Sequence, residues 1–517
     1  MDHIRGNNRN QIKMISLEQM VEPESIVRII DAFVDMLDLE QFEFNYFTLN
    51  KQGRPPYHPA TLMKLYLYGY QNSIRTCRKL EKACKTNIEI IWLLNEQKPH
   101  YKTIADFRKD NPKAFKSVFR YFVALLKDWK LIDGKTIGVD SFKIRAQNSL
   151  KNNFNQKKVK RHIDYIDQKI AEYEQALDQE FDESIKDKLE YNHQKKENYQ
   201  SIQNHLKQSG DGQISTTDPD SKAVVFQRNS VKVGYNIQAA SDSKNKLLIA
   251  ADTGDVNDTK ALAVMVEKAQ ENIGNIENVL ADKGYHSGRE LKACEKLEVT
   301  SFVSPKESSS TKKNPDFAME SFTYHKKQDT YTCPAGVILY TNGRFYNKNL
   351  NNGRKSYQVK HYKTKACDGC YLRDQCTTNK NGRLIERSEF QQYITRNNER
   401  VHQNPDYYRQ RQQIIEHLPI AIGIGTLKRQ WHFDYTLTKG KEKVLGEVYL
   451  IFTCYNLKRL VSIFDFKTLM SIIKAHLLSV FDCFKSFYSK METFLVNLRW
   501  FLKNSKQSNN LLTFNLN

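Results

Sequence analysis

Asn278-Val279-Leu280-Ala281-Asp282-Lys283-Gly284-Tyr285-His286-Ser287-Gly288 is a short apolar run that ends on an acid, with a glycine and an aromatic close behind it. A helical pattern opens after Gly288. Such a stretch reads as a strand that delivers a carboxylate to the C-terminal edge of a sheet, where α/β proteins bind ligands and metals. A plain strand-to-helix turn, in which Asp282 only caps the next element, fits the same residues. A second stretch has the same form: Thr136-Ile137-Gly138-Val139 delivers Asp140. A third acid, Glu416, ends a helical pattern over 406–416.

Working outward, β patterns are expected over 223–227, 231–240, 246–252 and 300–303. Helices are expected over 260–273 and 289–297. Asp255-Val256-Asn257-Asp258-Thr259 reads as a cap cluster for the first of these helices. Strands with end acids, interleaved with helices, predict an α/β fold with a mixed sheet and flanking helices. Before it, residues 1–22 read as a loose polar arm and 23–132 as short helices, with Pro59 at a first-turn position. Arg54, Lys64, Arg75, Arg78, Lys79, Lys82 and Lys85 make that region a candidate DNA-binding module. Residues 150–208 carry apolar residues at helical spacing with a break near 178–184, which predicts a helical hairpin.

Further on, Cys333 is followed by Cys367, Cys370 and Cys376. This CxxC with two further cysteines suggests a closed, structural tetrahedral zinc site. Helices are expected over 388–399 and 406–416. Pro419, Gly423 and Gly425 stop the second from continuing. Lys428, Arg429 and Trp431 then restore a basic, aromatic patch, 446–462 is again helical, and the tail mixes Phe, Leu and Lys.

The chain has 517 residues, with 80 basic against 59 acidic ones and a net charge of +21. A chain so basic along its length, with its basic residues interleaved among aromatics, expects a polyanion such as nucleic acid. No membrane span or signal peptide is read from it, and nine cysteines with four clustered suit reduced thiols in a cytoplasm. Two strand-end acids and a helix acid suit phosphodiester chemistry, in which two divalent ions activate the attacking oxygen and stabilise the leaving one. Hard Mg²⁺ (or Mn²⁺) takes carboxylate oxygens. Asp140 would bridge the ions, and Asp282 and Glu416 would each complete one.

The chain resembles bacterial insertion-sequence transposases of the DDE class, close to the family known as insertion sequence eleven-eighty-two. The motifs are Tyr57-His58-Pro59, Asp106-Phe107-Arg108, Val139-Asp140-Ser141, Val233-Gly234-Tyr235-Asn236-Ile237-Gln238 and Asp255-Val256-Asn257-Asp258. They continue with Ala281-Asp282-Lys283-Gly284-Tyr285, Tyr331-Thr332-Cys333-Pro334 with the later cysteines, Arg409-Gln410-Arg411, Glu416-His417 and Tyr455-Asn456-Leu457-Lys458-Arg459. The resemblance implies a catalytic triad at Asp140, Asp282 and Glu416. It also implies Mg²⁺-dependent cleavage and joining of double-stranded DNA at terminal inverted repeats and target sites, by a homodimer or higher assembly in a bacterial cytoplasm, at the nucleoid. The expected organisation is a helical DNA-binding domain (1–130) and a ribonuclease-H-like catalytic domain (131–465). The latter carries a helical-hairpin insert (150–222) and a cysteine-rich insert (318–388), and a helical or disordered tail follows (466–517). The family's pattern after Glu-His is departed from in 418–425, and Lys428 lies beyond that segment.

Lys428 and Arg429 are the leading candidate phosphate contacts, with Arg409, Arg411, Lys143 and Arg145 as further DNA contacts. Glu447 is an alternative third acid whose pattern suggests a surface position. Asp252 and Asp258 read as turn and cap residues with metal contact as the alternative, Tyr285 and His286 as packing or DNA-positioning groups, and Trp431 as core with stacking on an unpaired base as the alternative. The rival to an active enzyme is a decayed or domesticated copy that still binds element ends.

Overall fold

The structure, a computed structural model, describes residues 10–12, 14–45, 55–180, 182–210, 212–226, 229–306, 314–350, 354–416, 427 and 430–478. The chain divides into two compact units, 1–107 with 454–517, and 108–453.

In the first unit the helix Ile26–Met36 buries Ile29, Ile30, Phe33 and Val34 along one stripe. Pro59 opens the helix Pro59–Gln71, where His58 Nδ1 accepts from the Ala60 N–H. A proline here loses no helical hydrogen bond, because the first N–H groups have none to lose. Two of the basic residues read as DNA contacts do not face outward. Lys64 bonds Asp31 at 2.6 Å and Asp35 at 2.7 Å, and Arg75 is buried. Arg78, Lys79, Lys82 and Lys85 of the helix Cys77–Thr86 are exposed, and Arg54 lies outside the described residues.

The second unit is built on a mixed sheet. Its strands are β1 (Thr136–Arg145), β4 (Lys222–Val225), β5 (Val231–Asp242), β6 (Leu248–Gly254), β7 (Asn278–Ala281) and β8 (Thr300–Val303). A small pair, β2 (Asn153–Phe154) with β3 (Ile214–Ser215), lies outside it. The order is β4-β5-β1-β7-β8, and β6 shares with β4 the far edge of β5. β1, β7 and β8 run parallel, while β5 is antiparallel to β1 and β6 is antiparallel to β5. Ile137, Val139, Ile237, Ala239, Val279 and Leu280 are fully buried, as expected for strands covered on both faces. The helices Pro112–Asp128, Leu262–Ile273, Gly288–Lys296, Gln391–Gln403 and Pro405–Glu416 flank the sheet.

Between β2 and β3 the chain forms two paired helices, Gln156–Gln179 and Glu183–Ser209. After β8 comes a five-stranded antiparallel sheet of β9 (Thr323–His325), β10 (Thr330–Thr332), β11 (Ile338–Leu350), β12 (Arg354–Lys363) and β13 (Ile385–Ser388). Its core is Phe322, Tyr331, Leu339, Tyr362 and Ile385.

Three local expectations are corrected. Residues 385–388 form a strand where the helical pattern was extended back to 388, and the helix starts at Gln391. The cap of Leu262–Ile273 is Ala261, with no side-chain cap bond, because Asp258 is engaged elsewhere. Glu447 is not a surface residue. It is fully buried in the helix Lys441–Ile463, where its carboxylate accepts from the Leu437 N–H at 2.9 Å and the Thr438 hydroxyl at 3.4 Å. Residues 466–478 are helical, and the rest of the tail is outside the described residues.

Candidate active site

Register brings the two strand-end acids together. β1 and β7 are parallel neighbours with Val139 opposite Ala281, so Asp140 and Asp282 occupy the next positions along each strand. Side chains alternate along a strand, which puts Asp140 on the face of Gly138 and Asp282 on the face of Leu280, and Gly138 and Leu280 are cross-strand partners. That same face receives the helix Pro405–Glu416, since Tyr407 and Tyr408 pack against Leu280 and Phe302. The Tyr407 hydroxyl also meets that of Thr136 at 2.7 Å. Glu416 is the last residue of this helix, and its side chain lies outside the described residues.

β1 continues past Asp140, whereas β7 stops at Ala281 and turns. Asp282 caps that turn: its Oδ1 accepts from the Gly284 N–H at 2.7 Å. A Cβ on Gly284 would stand 2.8 Å from this oxygen, so a larger residue there would displace the Asp282 carboxylate. Thus the capping reading of Asp282 and its placement beside Asp140 both hold. Burial pushes the Asp140 carboxyl up to about 7. The Ser141 N–H opposes this, the Asp282 charge adds to it, the Arg411 guanidinium opposes it, and Asp258 adds to it. The Arg411 guanidinium lies over the Tyr408 ring at 5.4 Å, and its Nε is buried with no hydrogen-bond partner among the described residues.

On β5, Asn236 and Gln238 are buried amides, and both donate to Asp258 Oδ1, at 2.8 and 2.6 Å. The Gln238 carbonyl in turn accepts from the hydroxyl of Tyr285, which is wholly buried. Burial and the nearby charges of Asp258, Asp140 and Asp282 hold that phenol well above its ordinary value. Asp258 is thus a hub that the cap reading missed. The available signal was the polar pair Asn236 and Gln238, two apart in an otherwise apolar strand.

The other sequence candidates fall as follows. Lys143 is half-buried on β1 opposite Asn236, and Arg145 is exposed, over the Tyr435 ring at 5.8 Å. Arg409 is exposed and ion-paired with Asp406 at 3.1 Å. Lys428 and Arg429 lie outside the described residues. Trp431 is buried, and His286 is half-buried against Asn398 at 3.1 Å, its imidazole held below its ordinary value by burial. Asp252 is salt-bridged by Lys268 at 3.4 Å.

Among the described residues, no three His, Cys, Asp or Glu side chains stand ready-set around one metal position. The donor chemistry nevertheless fits a hard cation: two adjacent carboxylates, one held back from ionising by burial and by its neighbour's charge. The four cysteines of the second sheet are free thiols that line one cavity of about 30 Å³. The Cys376 thiol is raised by burial, with the other three cysteines adding to it, and the Val337 N–H donates to Cys333 Sγ at 3.4 Å. Thiols are the donors a structural zinc takes, but these four sulfurs are not set around one metal position.

Two stretches of the chain match known families. Residues 15–110 match the family described as Transposase domain (DUF772), and residues 332–461 match the family described as Transposase DDE domain. Together they support an insertion-sequence transposase of the DDE class. The second match contains Glu416 and the four cysteines, while Asp140 and Asp282 lie before it. No curated protein and no solved structure matches the chain. A transposase of this class acts on DNA, in keeping with the net charge of +21. No helix among the described residues is long and apolar enough to cross a membrane.

Proposed function

We propose that this chain binds the ends of an insertion sequence and cuts and joins DNA strands with divalent ions held by Asp140, Asp282 and Glu416. The observation that carries the reading is the pairing of Asp140 with Asp282 at one sheet edge, beneath the helix that ends in Glu416. The strand order and directions of β6-β5-β1-β7-β8 support a ribonuclease-H-like sheet, and the quoted motifs support the insertion sequence eleven-eighty-two family. When bound, Mg²⁺ would activate the attacking oxygen and stabilise the leaving one. The chain's own groups do the rest. Asp140 and Asp282 hold negative charge at one point, Arg411 balances it before cation binding, and the Asp258–Gln238–Tyr285 relay fixes the turn that carries Asp282. Cys333, Cys367, Cys370 and Cys376 would hold a structural zinc, which would tie residues 333–376 together.

A second reading, a protein that binds element ends without cutting them, is favoured by the altered segment 418–425 next to Glu416. Purified protein incubated with end DNA and Mg²⁺ separates the two. Nicked and joined products support the transposase, nicks without joined products indicate a nuclease, and binding without nicks supports the second reading.

A further inference from the structure

The cysteine-bearing sheet is built on the long β11–β12 ribbon, with Tyr340 opposite Lys363, Tyr346 opposite Val359 and Lys348 opposite Tyr357, and β13 lies along the other side of β12 over Val359–Tyr362. The alternation puts Tyr340, Tyr346, His361 and Lys363 on one face. Tyr340 is 60% exposed and Tyr346 38%. The Tyr346 ring stacks on His361 with centroids 4.4 Å apart, and its hydroxyl accepts from Asn342 Nδ2 at 2.7 Å. Between Thr341 and Phe345 the register slips, so Asn342-Gly343-Arg344 bulges out, with Gly343 at a φ of 78°. Lys348 on this face is neutralised by Glu386, but Arg344 and Lys363 are exposed and make no ion pair with any described residue. Exposed rings beside uncompensated cations, on a chain of charge +21, match the chemistry of a nucleic-acid strand: phosphates for the cations and base faces for the rings. A duplex hides its base faces, so exposed aromatics favour unpaired bases.

We propose that this ribbon face binds a DNA strand with unpaired bases, taking its phosphates on Arg344 and Lys363 and a base on Tyr340. The inference rests on the reading of the chain as an enzyme that opens DNA ends. It adds a single-strand site on an element that carries none of the candidate catalytic acids. Tyr340 is 60% exposed and has no side-chain partner among the described residues, so its replacement leaves the fold intact.

The test is fluorescence anisotropy with labelled oligothymidine and with a blunt duplex of equal length, in the absence of Mg²⁺. Tyr340→Ala weakens oligothymidine binding about tenfold, Tyr340→Phe retains it, and duplex binding changes by less than about twofold. Arg344→Ala also weakens oligothymidine binding and flattens its salt dependence. Oligothymidine binding that ignores Tyr340 overturns the inference, as does equal weakening on both probes, which would mean a ribbon seated in a duplex groove. Wild-type protein that cleaves end DNA while its strand binding ignores Tyr340 keeps the transposase reading and removes this site. Strand binding through Tyr340 without any cleavage does the reverse.

Discussion

Replacing Asp140 with Asn isolates the electrostatic strain at the sheet edge. The Asp140 carboxyl titrates at about 7 in the folded protein against an ordinary 3.8, with burial as the main cause. That difference corresponds to roughly 4 kcal/mol against the ionised form, from about 1.4 kcal/mol per tenfold. Partial exposure and local relaxation reduce the realised cost to roughly 1–3 kcal/mol. Between pH ~4 and ~7 the folded protein binds more protons than the unfolded chain, so this group lowers stability as pH rises and its cost is complete above pH ~7. Asp140→Asn removes the cost, so the variant and wild type converge near pH 4 and the variant is the more stable at pH 8. Because the chain has two units, a single unfolding midpoint is poorly defined. Amide hydrogen exchange of residues 136–145, compared with wild type at each pH, reads the effect locally. Greater protection in Asp140→Asn at pH 8, shrinking toward pH 4, is the expected result. Equal or lower protection at pH 8 would refute the electrostatic reasoning. Mg²⁺ added at pH 8 raises protection in wild type and not in the variant.

Glu447→Ala leaves the Leu437 N–H and the Thr438 hydroxyl without their acceptor and costs roughly 1–3 kcal/mol, while Glu447→Gln costs less; amide hydrogen exchange of residues 436–450 checks both. Asp258→Ala removes the acceptor of two buried amides, so it lowers amide-exchange protection of residues 234–240 and slows cleavage together, whereas a purely capping Asp258 would leave cleavage untouched. Native protein carries about one zinc per chain, and Cys367→Ser lowers the content sharply. A metal-free native protein would remove the zinc assignment.

The sequence made the strand-end acids legible because their signal is local. An apolar run delivers an acid, and the strands Asn278–Ala281 and Thr300–Val303 fell where their patterns put them, but the strand that carries Asp140 does not end there and runs on to Arg145. Their adjacency was not local, since it depends on β1 pairing with β7 across the intervening β4–β6 region. Asp258 looked like a cap because Asp-rich turns before helices usually cap. Its bonds to Asn236 and Gln238 reach back to one strand, β5, some twenty residues earlier, and leave no sequence-adjacent trace. Glu447 looked exposed because a lone acid on a helix normally is, yet backbone and hydroxyl donors at residues 437 and 438 satisfy it in the core. Arg411 was read as a DNA contact, and its charge also acts on Asp140, an effect visible only once the helix Pro405–Glu416 lies on that face.

The central claim is that Asp140 and Asp282 form one cation-dependent cutting site. The most direct measurement is Mg²⁺-dependent nicking of end DNA by wild type and by Asp282→Ala, with binding measured alongside. The account predicts that Asp282→Ala binds the ends as wild type does but nicks at least about a hundredfold more slowly, since even groups supporting a metal ligand cost about 10–100-fold. Equal nicking by the two proteins would contradict it.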